Sequence, residues 1–538
     1  MLVFGAPLYV YARIAIPLVA HRSETLRPDA LCYVRRALYL SQGDFYHSIS
    51  GYWGPLISWC MAPLMGWGVD GAHAAWGVLC AWGALLVVAI GWLLYTCTSL
   101  NPVWKLAVMI VAALAACPPA AAAIAPDLIL SACVIAYLAA VMRPTLIERR
   151  GSQLLAGALG GVAYLAKAYA MPFVVVHLPL TLAMRGFVMW RGGTGSTAGP
   201  RAFGAVGRRV LGAYGMAMLG LALTAGPWIG VLSWRYGGLT ISTTASRAHA
   251  VVGPGGGHPL PAFYVAEDPY IWVWENPEDL PYKFWSPLAS RENFRHQMRV
   301  VRANAAEIGA AISDFAWGYA AWVGLGLGLL LALGLGERGE RWKSWWLLAT
   351  LGIYCGGFLP VFFTSRYIWS VGIGLTLVLG MKGALETRAA KGSGLRAWVF
   401  RAVGWLLAGG ILAGYWGRAN QEIRELAGTQ RTGVYRQVAG VITKQKLKGP
   451  IASTDGLRGS FVAMYAGEKI AGFPRETDVD ALDRKLREAK VGILLIWGRS
   501  RLQTRGNMDL AMELVKRPTW KCVYARRSGL AQVYVPVE

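Results

Sequence analysis

Residues 72–98 read AHAAWGVLCAWGALLVVAIGWLLYTCT and contain no Asp, Glu, Lys or Arg. A helix needs about 20 apolar residues to span the hydrocarbon core of a bilayer, and this run is longer than that. Comparable apolar stretches recur along the chain as far as about residue 416. The sequence therefore predicts an α-helical protein that crosses the membrane many times.

The overall composition supports a membrane protein. Of the 538 residues, 55% are hydrophobic and 15% are charged, and the mean hydropathy is +0.41. A soluble domain carries roughly a quarter charged residues, so this composition excludes both a cytosolic globular protein and a disordered chain. The net charge of +24 indicates basic cytoplasmic loops and contact with anionic lipid headgroups. No nucleic-acid-binding motif accompanies the basic residues, so we expect no nucleic-acid partner.

Hydropathy predicts about eleven transmembrane helices. The segment 2–19 has no basic n-region and no small-residue cleavage site, so we interpret it as a retained first helix rather than a signal peptide. A break near residues 169–172 separates two short helices in the middle of the chain. The predicted spans are 2–20, 72–98, 103–120, 127–142, 152–168, 170–184, 210–235, 316–336, 344–363, 367–384 and 398–416.

The distribution of Lys and Arg predicts the orientation. Basic residues cluster in the loops 185–209, 337–343 and 382–401 and in the turn 143–150. Loops rich in Lys and Arg remain in the cytoplasm, and placing all four there gives one consistent topology. The N-terminus is then cytoplasmic.

Three large pieces then lie on the extracytoplasmic side. They are the first large loop (21–71), the second large loop (236–315) and the tail (417–538). Residues 1–416 thus form a transmembrane domain, in which 52–65 is predicted to be a kinked helix at the membrane surface. The tail has the pattern of a soluble α/β domain, with helices at 433–446 and 478–489 and strands at 450–453, 491–497 and 532–535. It carries no phosphate-binding loop and no triad signature, so we expect a lid or docking domain.

Two acids are candidates for catalysis. Asp29 lies in the first large loop, where a partly desolvated carboxylate at the membrane boundary can act as a general base. The alternative is that Asp29 caps the helix over 30–41. Asp127 follows Pro126 just before an apolar run, and is either a helix cap or a second active-site carboxylate.

Two cations are candidates for binding phosphate. Lys167, near the end of a predicted span, either extends to the lipid headgroups or binds a lipid-linked phosphate as a point charge. Arg366 precedes Tyr367 between two spans, and its guanidinium suits bidentate contact with phosphate. The alternative for both Arg366 and Tyr367 is an interfacial anchor.

Aromatic residues are frequent in the two large loops. Tyr52 and Trp53 lie in the first, and the second contains the run YIWVWE at 270–275. Such rings either stack on sugars or anchor the protein at the headgroups. His249 and His258 of the second loop are candidate polar contacts.

The order of these motifs resembles the GT-C superfamily of membrane glycosyltransferases. The nearest branch contains bacterial proteins similar to protein O-mannosyltransferases and lipid A aminoarabinose transferases. The motifs are, in chain order, Asp29, GYWGPL at 51–56, Pro126–Asp127, Gly160–Gly161 before Lys167, Arg235–Tyr236–Gly237 before the second large loop, and Arg366–Tyr367 before the α/β tail. Two features depart from the family pattern, since Asp29 is followed by Ala30 instead of a second acid and GYWGPL has a single proline.

The resemblance implies a sugar transfer from a polyprenyl-phosphate or diphosphate donor to an acceptor hydroxyl on a glycan, lipid or protein. Asp29 would be the general base of an inverting displacement, and Asp127 would orient the acceptor or a basic partner. Lys167 and Arg366 would bind the donor phosphate. The remaining candidates, for substrate binding, are Tyr33, Tyr52, Trp53, His249 and Tyr367.

The resemblance also bears on metals and location. We expect no cofactor and no metal, because lipid-monophosphate donors in this branch generally need none, whereas oligosaccharide transferases of the superfamily use several carboxylates to bind one. The absence of a CxxC motif argues against structural zinc. The expected location is the bacterial inner membrane.

Other classes of function remain open at this point. A transporter or flippase of envelope precursors would show paired halves with broken helices, and the sequence has no such internal symmetry. A non-catalytic envelope assembly protein would not depend on Asp29, Lys167 or Arg366. A glycan ligase or polymerase would share the site but use a diphosphate donor.

Overall fold

The computed structural model describes residues 2–20, 22, 27–192, 200–316, 319–337, 339–428, 433–498, 505–526 and 531–537. Every segment predicted to span the membrane contains a helix, although the predicted span 344–363 is helical only as far as Gly356. The first ten helices are α1 (Leu2–Ala20), α2 (Pro28–Ser41), α3 (Phe45–Ser48), α4 (Pro55–Gly66), α5 (Gly71–Cys97), α6 (Pro102–Ala122), α7 (Asp127–Val141), α8 (Arg150–Ala166), α9 (Ala170–Gly192) and α10 (Pro200–Tyr236). The next six are α11 (Thr244–Val251), α12 (Arg291–Asp314), α13 (Ala320–Leu330, continued by a π-helical turn at Leu331–Leu335), α14 (Arg341–Gly356), α15 (Trp369–Leu385) and α16 (Leu395–Gly428).

Among the described residues, five helices are long and apolar enough to cross a membrane by length and composition: α5, α6, α9, α10 and α16. Shorter apolar helices accompany them, including α1, α7 and α15. The chain is thus a multi-pass membrane protein by its helices, while the count of eleven crossings stays a prediction.

Helix boundaries differ from the hydropathy prediction where polar residues continue a helix. α9 and α10 extend well into the basic loop 185–209, of which 193–199 lie outside the described residues. Backbone hydrogen bonding does not stop at the edge of the hydrocarbon core, whereas hydropathy marks only the apolar part. The sequence did not predict α12, because this helix is amphipathic and buries only a narrow stripe that includes Gln297, Asn304 and Ile308.

Small residues bring α8 and α10 into close contact. A β-carbon on Gly157 or Gly161 of α8 would overlap backbone or side-chain atoms of Ala217 and Thr224 on α10. Close approach of backbones through small residues is a common way for membrane helices to associate, since lipid tails offer no hydrophobic driving force. This packing fixes the end of α8, directly before Lys167.

The tail is an α/β domain, as predicted. The described part of the tail has five strands, in the sheet order β2-β1-β3-β5-β4: β1 (Ile451–Ser453), β2 (Ile470–Gly472), β3 (Ile493–Trp497), β4 (Trp520–Ala525) and β5 (Ala531–Pro536). β1 is parallel to β2 and β3, and β5 is antiparallel to β3 and β4. Its helices are α17 (Val434–Lys444), α18 (Gly456–Ala466), α19 (Val479–Glu488) and α20 (Arg505–Leu514). Asp478 caps α19 by accepting from the backbone N–H of Ala481.

The second large loop closes one edge of this sheet. Tyr264 donates its N–H to the carbonyl of Ala471 at 2.8 Å, and Ile470 donates to the carbonyl of Ile271 at 2.9 Å. The N–H of Phe473 reaches the carbonyl of Ala262 at 2.8 Å. Because β2 is the edge strand, the segment 262–271 satisfies backbone groups that would otherwise lack a strand partner.

Candidate active site

Asp29 lies in the first turn of α2. Arg27 is the N-cap residue and Pro28 occupies the first helical position, so Asp29 does not cap this helix. Its carboxylate instead forms a close ion pair with the guanidinium of Arg366, 337 residues along the chain. The capping alternative is therefore not what the structure shows.

Asp127 begins α7, and its side chain likewise makes no capping hydrogen bond. Lys167, in extended conformation directly after α8, donates from Nζ to Asp127 Oδ1 at 2.7 Å. The side chains of Asp127 and Lys167 are only 11% and 18% exposed, so water screens this pair weakly. The Lys167 ammonium also lies 3.3 Å from the ring centroid of Tyr367, a cation–π contact.

Arg366 connects the two acids. It lies in the short helical turn Ser365–Tyr367 between α14 and α15, and its Nε is 3.5 Å from Asp127 Oδ2. Burial disfavours its charge, but the carboxylates of Asp127 and Asp29 outweigh burial and raise the pKa of the guanidinium. Four residues from four separate parts of the chain thus form one ionic cluster.

A cavity of about 370 Å³ opens on this cluster. Eight of the nine candidate residues line it, namely Asp29, Asp127, Lys167, Arg366, Tyr33, Tyr52, Trp53 and Tyr367. His249 lies elsewhere, with its ring stacked on Trp285 at 4.5 Å between centroids and its Nε2 2.9 Å from Gln297 Oε1. Its predicted role in substrate binding has no counterpart in the geometry of this cavity.

The charged lining of the cavity is unbalanced. The cations Arg27, Lys167 and Arg366 face the anions Asp29 and Asp127, which leaves one positive charge in excess. Burial lowers the pKa of the His258 imidazole, which also lines the cavity, although the Asp29 carboxylate opposes this shift. Two buried atoms, Arg366 Nη1 and Asp127 Oδ2, have no hydrogen-bond partner within the described part of the chain. The excess positive charge and the free N–H donor at Arg366 Nη1 suit the cavity to an anion that accepts hydrogen bonds, whereas Asp127 Oδ2 is an acceptor and needs a donor.

Several lining residues come from the second large loop and were not predicted as site residues. They include Thr244, Leu260 and Trp274, together with His258, which the sequence suggested only as a polar contact. The Trp274 ring makes edge contacts with Tyr52, Trp53 and His258 at centroid distances of 5.3–5.8 Å. The aromatic run at 270–275 was the signal in the sequence, but its folding over the first large loop is a long-range contact that no local pattern encodes.

Two glutamates of the second large loop hydrogen-bond to residues around these aromatic rings. Glu278 Oε1 accepts from the N–H of Tyr52 at 3.0 Å and from the hydroxyls of Tyr236 and Thr243 at 3.0 Å each. Glu275 is fully buried and accepts from the hydroxyl of Tyr39 at 2.8 Å. Burial raises the pKa of Glu275, opposed by the neighbouring charge of Arg35. These bonds tie the first large loop to the second.

In the ranges that the structure describes, no group of three or more His, Cys, Asp or Glu side chains is arranged to hold a metal ion.

The fold matches that of solved membrane glycosyltransferases. ArnT from Cupriavidus metallidurans bound to undecaprenyl phosphate superposes with a TM-score of 0.58 at 14% identity, covering 99% of this chain and 97% of that one. The oligosaccharyltransferase of Archaeoglobus fulgidus in its apo form gives a TM-score of 0.54 at 11% identity, over 92% of this chain and 69% of that one. The archaeal oligosaccharyltransferase AglB from Archaeoglobus fulgidus, in complex with an inhibitory peptide and a dolichol-phosphate, gives a TM-score of 0.51 at 10% identity, over 99% of this chain and 74% of that one.

No family model and no curated protein matches the sequence. The likeness in three dimensions shows that the chain shares the fold of ArnT and of the Archaeoglobus oligosaccharyltransferase, in agreement with the resemblance drawn from the order of its motifs. At these identities the likeness establishes the fold alone.

Proposed function

We propose that the protein transfers a sugar from a polyprenyl-phosphate donor to an acceptor hydroxyl, with inversion at the anomeric carbon. The observation that carries the proposal is the cationic cavity in which Arg366 and Lys167 face the two carboxylates Asp29 and Asp127. A lipid-linked phosphate is an anion of the kind this cavity suits. ArnT, which has the same fold, is known bound to undecaprenyl phosphate.

In this mechanism, Arg366 and Lys167 hold the phosphate oxygens of the donor. The acceptor oxygen attacks the anomeric carbon, the bond from that carbon to the phosphate oxygen breaks, and its electron pair stays on the phosphate. The proton of the acceptor hydroxyl passes to Asp29. Arg366 and Lys167 stabilise the charge that develops on the leaving phosphate, which is where fixed cations lower a barrier most.

The donor itself would free the base. Without donor, Asp29 is engaged by Arg366, which keeps the carboxylate paired with a cation. A bound phosphate competes for the same guanidinium, whose Nη1 has no other partner among the described residues. Asp127 then positions Lys167, its 2.7 Å partner. Because each acid already faces a basic side chain, we propose that these cations, and no divalent metal, neutralise the phosphate.

We further propose that the protein resides in a bacterial inner membrane, with its N-terminus in the cytoplasm and the tail outside. The basic loops support this orientation through the positive-inside rule. The cavity then faces the extracytoplasmic side, where an acceptor glycan, lipid or protein would be modified.

The test is turnover by the purified protein in lipid, offered a panel of radiolabelled polyprenyl-phosphate sugars. We expect Asp29→Asn to lower turnover at least about 100-fold, the usual contribution of a general base, while donor binding is kept because Arg366 loses its competing partner. Asp44→Asn is the matched control, since Asp44 lies in the same loop, pairs with His47 and does not line the cavity. A chelator should change nothing, and the anomeric configuration of the product should be opposite to that of the donor.

Three results would each contradict a different part of the proposed function. Equal turnover in wild type and Asp29→Asn would remove Asp29 as the base and point to Asp127. Inhibition by the chelator would overturn the metal-free mechanism. Failure of the wild type to bind any donor would overturn the transferase proposal and favour a transporter or an assembly protein.

A further inference from the structure

A second cavity, of about 820 Å³, lies entirely within the second large loop. Its walls come from residues 259–283 and include the aromatic rings of Tyr264, Tyr270 and Trp272. Its volume falls within the range of about 300–1,000 Å³ that is usual for small-molecule sites. It is more than twice the volume of the cavity at the ionic cluster. Neither the ionic cluster nor the donor-binding proposal uses it.

The lining combines two kinds of group. The aromatic rings offer flat apolar faces, while Glu267, Asp279 and Asn276 offer oxygens and an amide that hydrogen-bond hydroxyls. Sugar rings carry an apolar face of C–H groups and a rim of hydroxyls, so both kinds of group are engaged at once by a carbohydrate. Asp279 already accepts from the Asn276 amide, but an alkyl chain would offer no hydrogen bond to the carboxylate of Glu267, at a cost in desolvation.

The charged residues that line the larger cavity narrow the class of ligand. Glu267, Asp268 and Asp279 line the cavity with Lys283 as the cation of the lining, and Asp268 pairs with Lys469 of the tail at 2.9 Å. The lining is therefore acidic, in contrast to the cationic cavity at Asp29. Like charges disfavour a ligand that carries phosphate or carboxylate groups.

The two cavities are neighbours. Leu260 lines both, and the short segment from Trp272 to Trp274 contributes Trp272 to the larger cavity and Trp274 to the smaller. We propose that the larger cavity binds a non-anionic oligosaccharide chain of the acceptor, so that its terminal hydroxyl extends past Leu260 toward Asp29. The presentation of the hydroxyl to Asp29 rests on the proposed function, whereas the binding of an oligosaccharide in the larger cavity does not.

Direct binding tests the proposal. Saturation-transfer NMR and calorimetry on the full-length protein in nanodiscs, without donor, would use mannohexaose, maltohexaose and a hexamer of glucosamine, with a hexamer of galacturonate as the anionic comparator. We expect at least one non-anionic hexamer to bind and galacturonate to bind more weakly. Tyr264→Ala should weaken binding about five- to tenfold, and Tyr264→Phe should preserve it, since the ring face makes the contact.

Tyr264 suits this test because the residue is 45% exposed and its bond to the tail comes from its backbone N–H. Tyr46→Ala is the matched control, since Tyr46 is also 45% exposed, lies in the first large loop and lines neither cavity. Absence of binding to all non-anionic hexamers, equal binding by Tyr264→Ala, or tighter binding of galacturonate would each overturn the proposal. Donor binding, measured separately, should be unchanged in Tyr264→Ala, so a failure of the donor site would be recognised independently.

Discussion

Arg366 is the residue on which both acids of the cavity converge. Sequence patterns could select Asp29, Asp127, Lys167 and Arg366 one by one, because an ionisable residue within or next to a membrane segment is a functional candidate. They could not predict which acid pairs with which base. Asp29 and Arg366 are 337 residues apart, and their contact depends on the packing of α2 against the turn before α15. The same limit applies to Glu278, which looks like an ordinary loop acid until its partners are seen.

The pair of Lys167 and Asp127 gives a prediction at this scale. Lys167→Met removes the cation and leaves a mostly buried carboxylate, so we expect a loss of about 2–3 kcal/mol in stability. Adding Asp127→Asn should restore most of the thermal unfolding temperature, but not donor binding, because no cation is then left at position 167. Lys391→Met is the control, since its pair with Glu337 is about half exposed and should contribute little. A double variant that binds donor normally would contradict the phosphate role of Lys167.

At the scale of elements, hydropathy predicted the helices of the membrane domain because an apolar run of sufficient length has few alternatives to a helix in lipid. The same measure missed α12, whose polar face hides its buried stripe, and gave no information on the two cavities. Those cavities depend on how the second large loop folds over the first, which is set by contacts such as Glu278 with the backbone of Tyr52. Long-range contacts between irregular segments leave no periodic signal.

The glycines of α8 give the second prediction. Gly157→Ala should destabilise the protein by about 1–3 kcal/mol, because the new methyl group meets the backbone of Ala217 and pushes α8 from α10. Donor binding should weaken as well, since Lys167 follows directly at the end of α8. Gly151→Ala in the same helix has open space around its β-carbon and should be neutral or stabilising. The test is to measure the thermal unfolding temperature and the donor affinity of both variants. Equal values for Gly157→Ala and Gly151→Ala would mean that α8 accommodates the methyl group without moving Lys167.

On the scale of the whole molecule, the tail is attached through its sheet edge to the second large loop, which encloses the larger cavity and contributes part of the lining of the smaller one. The sequence predicted the α/β character of the tail from its alternation of strands and helices, and it suggested a lid or docking role. It could not predict that Gly472, at the end of β2, would lie against the carbonyl of Ala262 with a positive φ of 80°. The positive φ and the close contact with Ala262 both favour glycine, and the contact exists only in the folded protein.

This attachment gives the third prediction. Gly472→Ala should lower transfer and oligosaccharide binding more than donor binding, because the displaced segment 262–271 belongs to the larger cavity. Gly467→Ala is a matched control, since Gly467 also has a positive φ, of 72°, but nothing lies near its β-carbon. If backbone strain alone mattered, the two variants would lose oligosaccharide affinity to the same extent. If the close contact with Ala262 matters as well, Gly472→Ala should lose more. Acceptor and donor affinities measured on both proteins distinguish these cases.

The closing of the sheet edge also imposes an order on biosynthesis. Lys469, whose ammonium holds the carbonyl of Ala266 at 2.7 Å, is synthesised 203 residues after its partner. The loop therefore leaves the ribosome long before β2, the strand that holds it in place. A chain that stops before β2 would contain all four residues of the ionic cluster but lack the strand that holds the wall of the larger cavity. The larger cavity is thus completed later in synthesis than the residues of the ionic cluster.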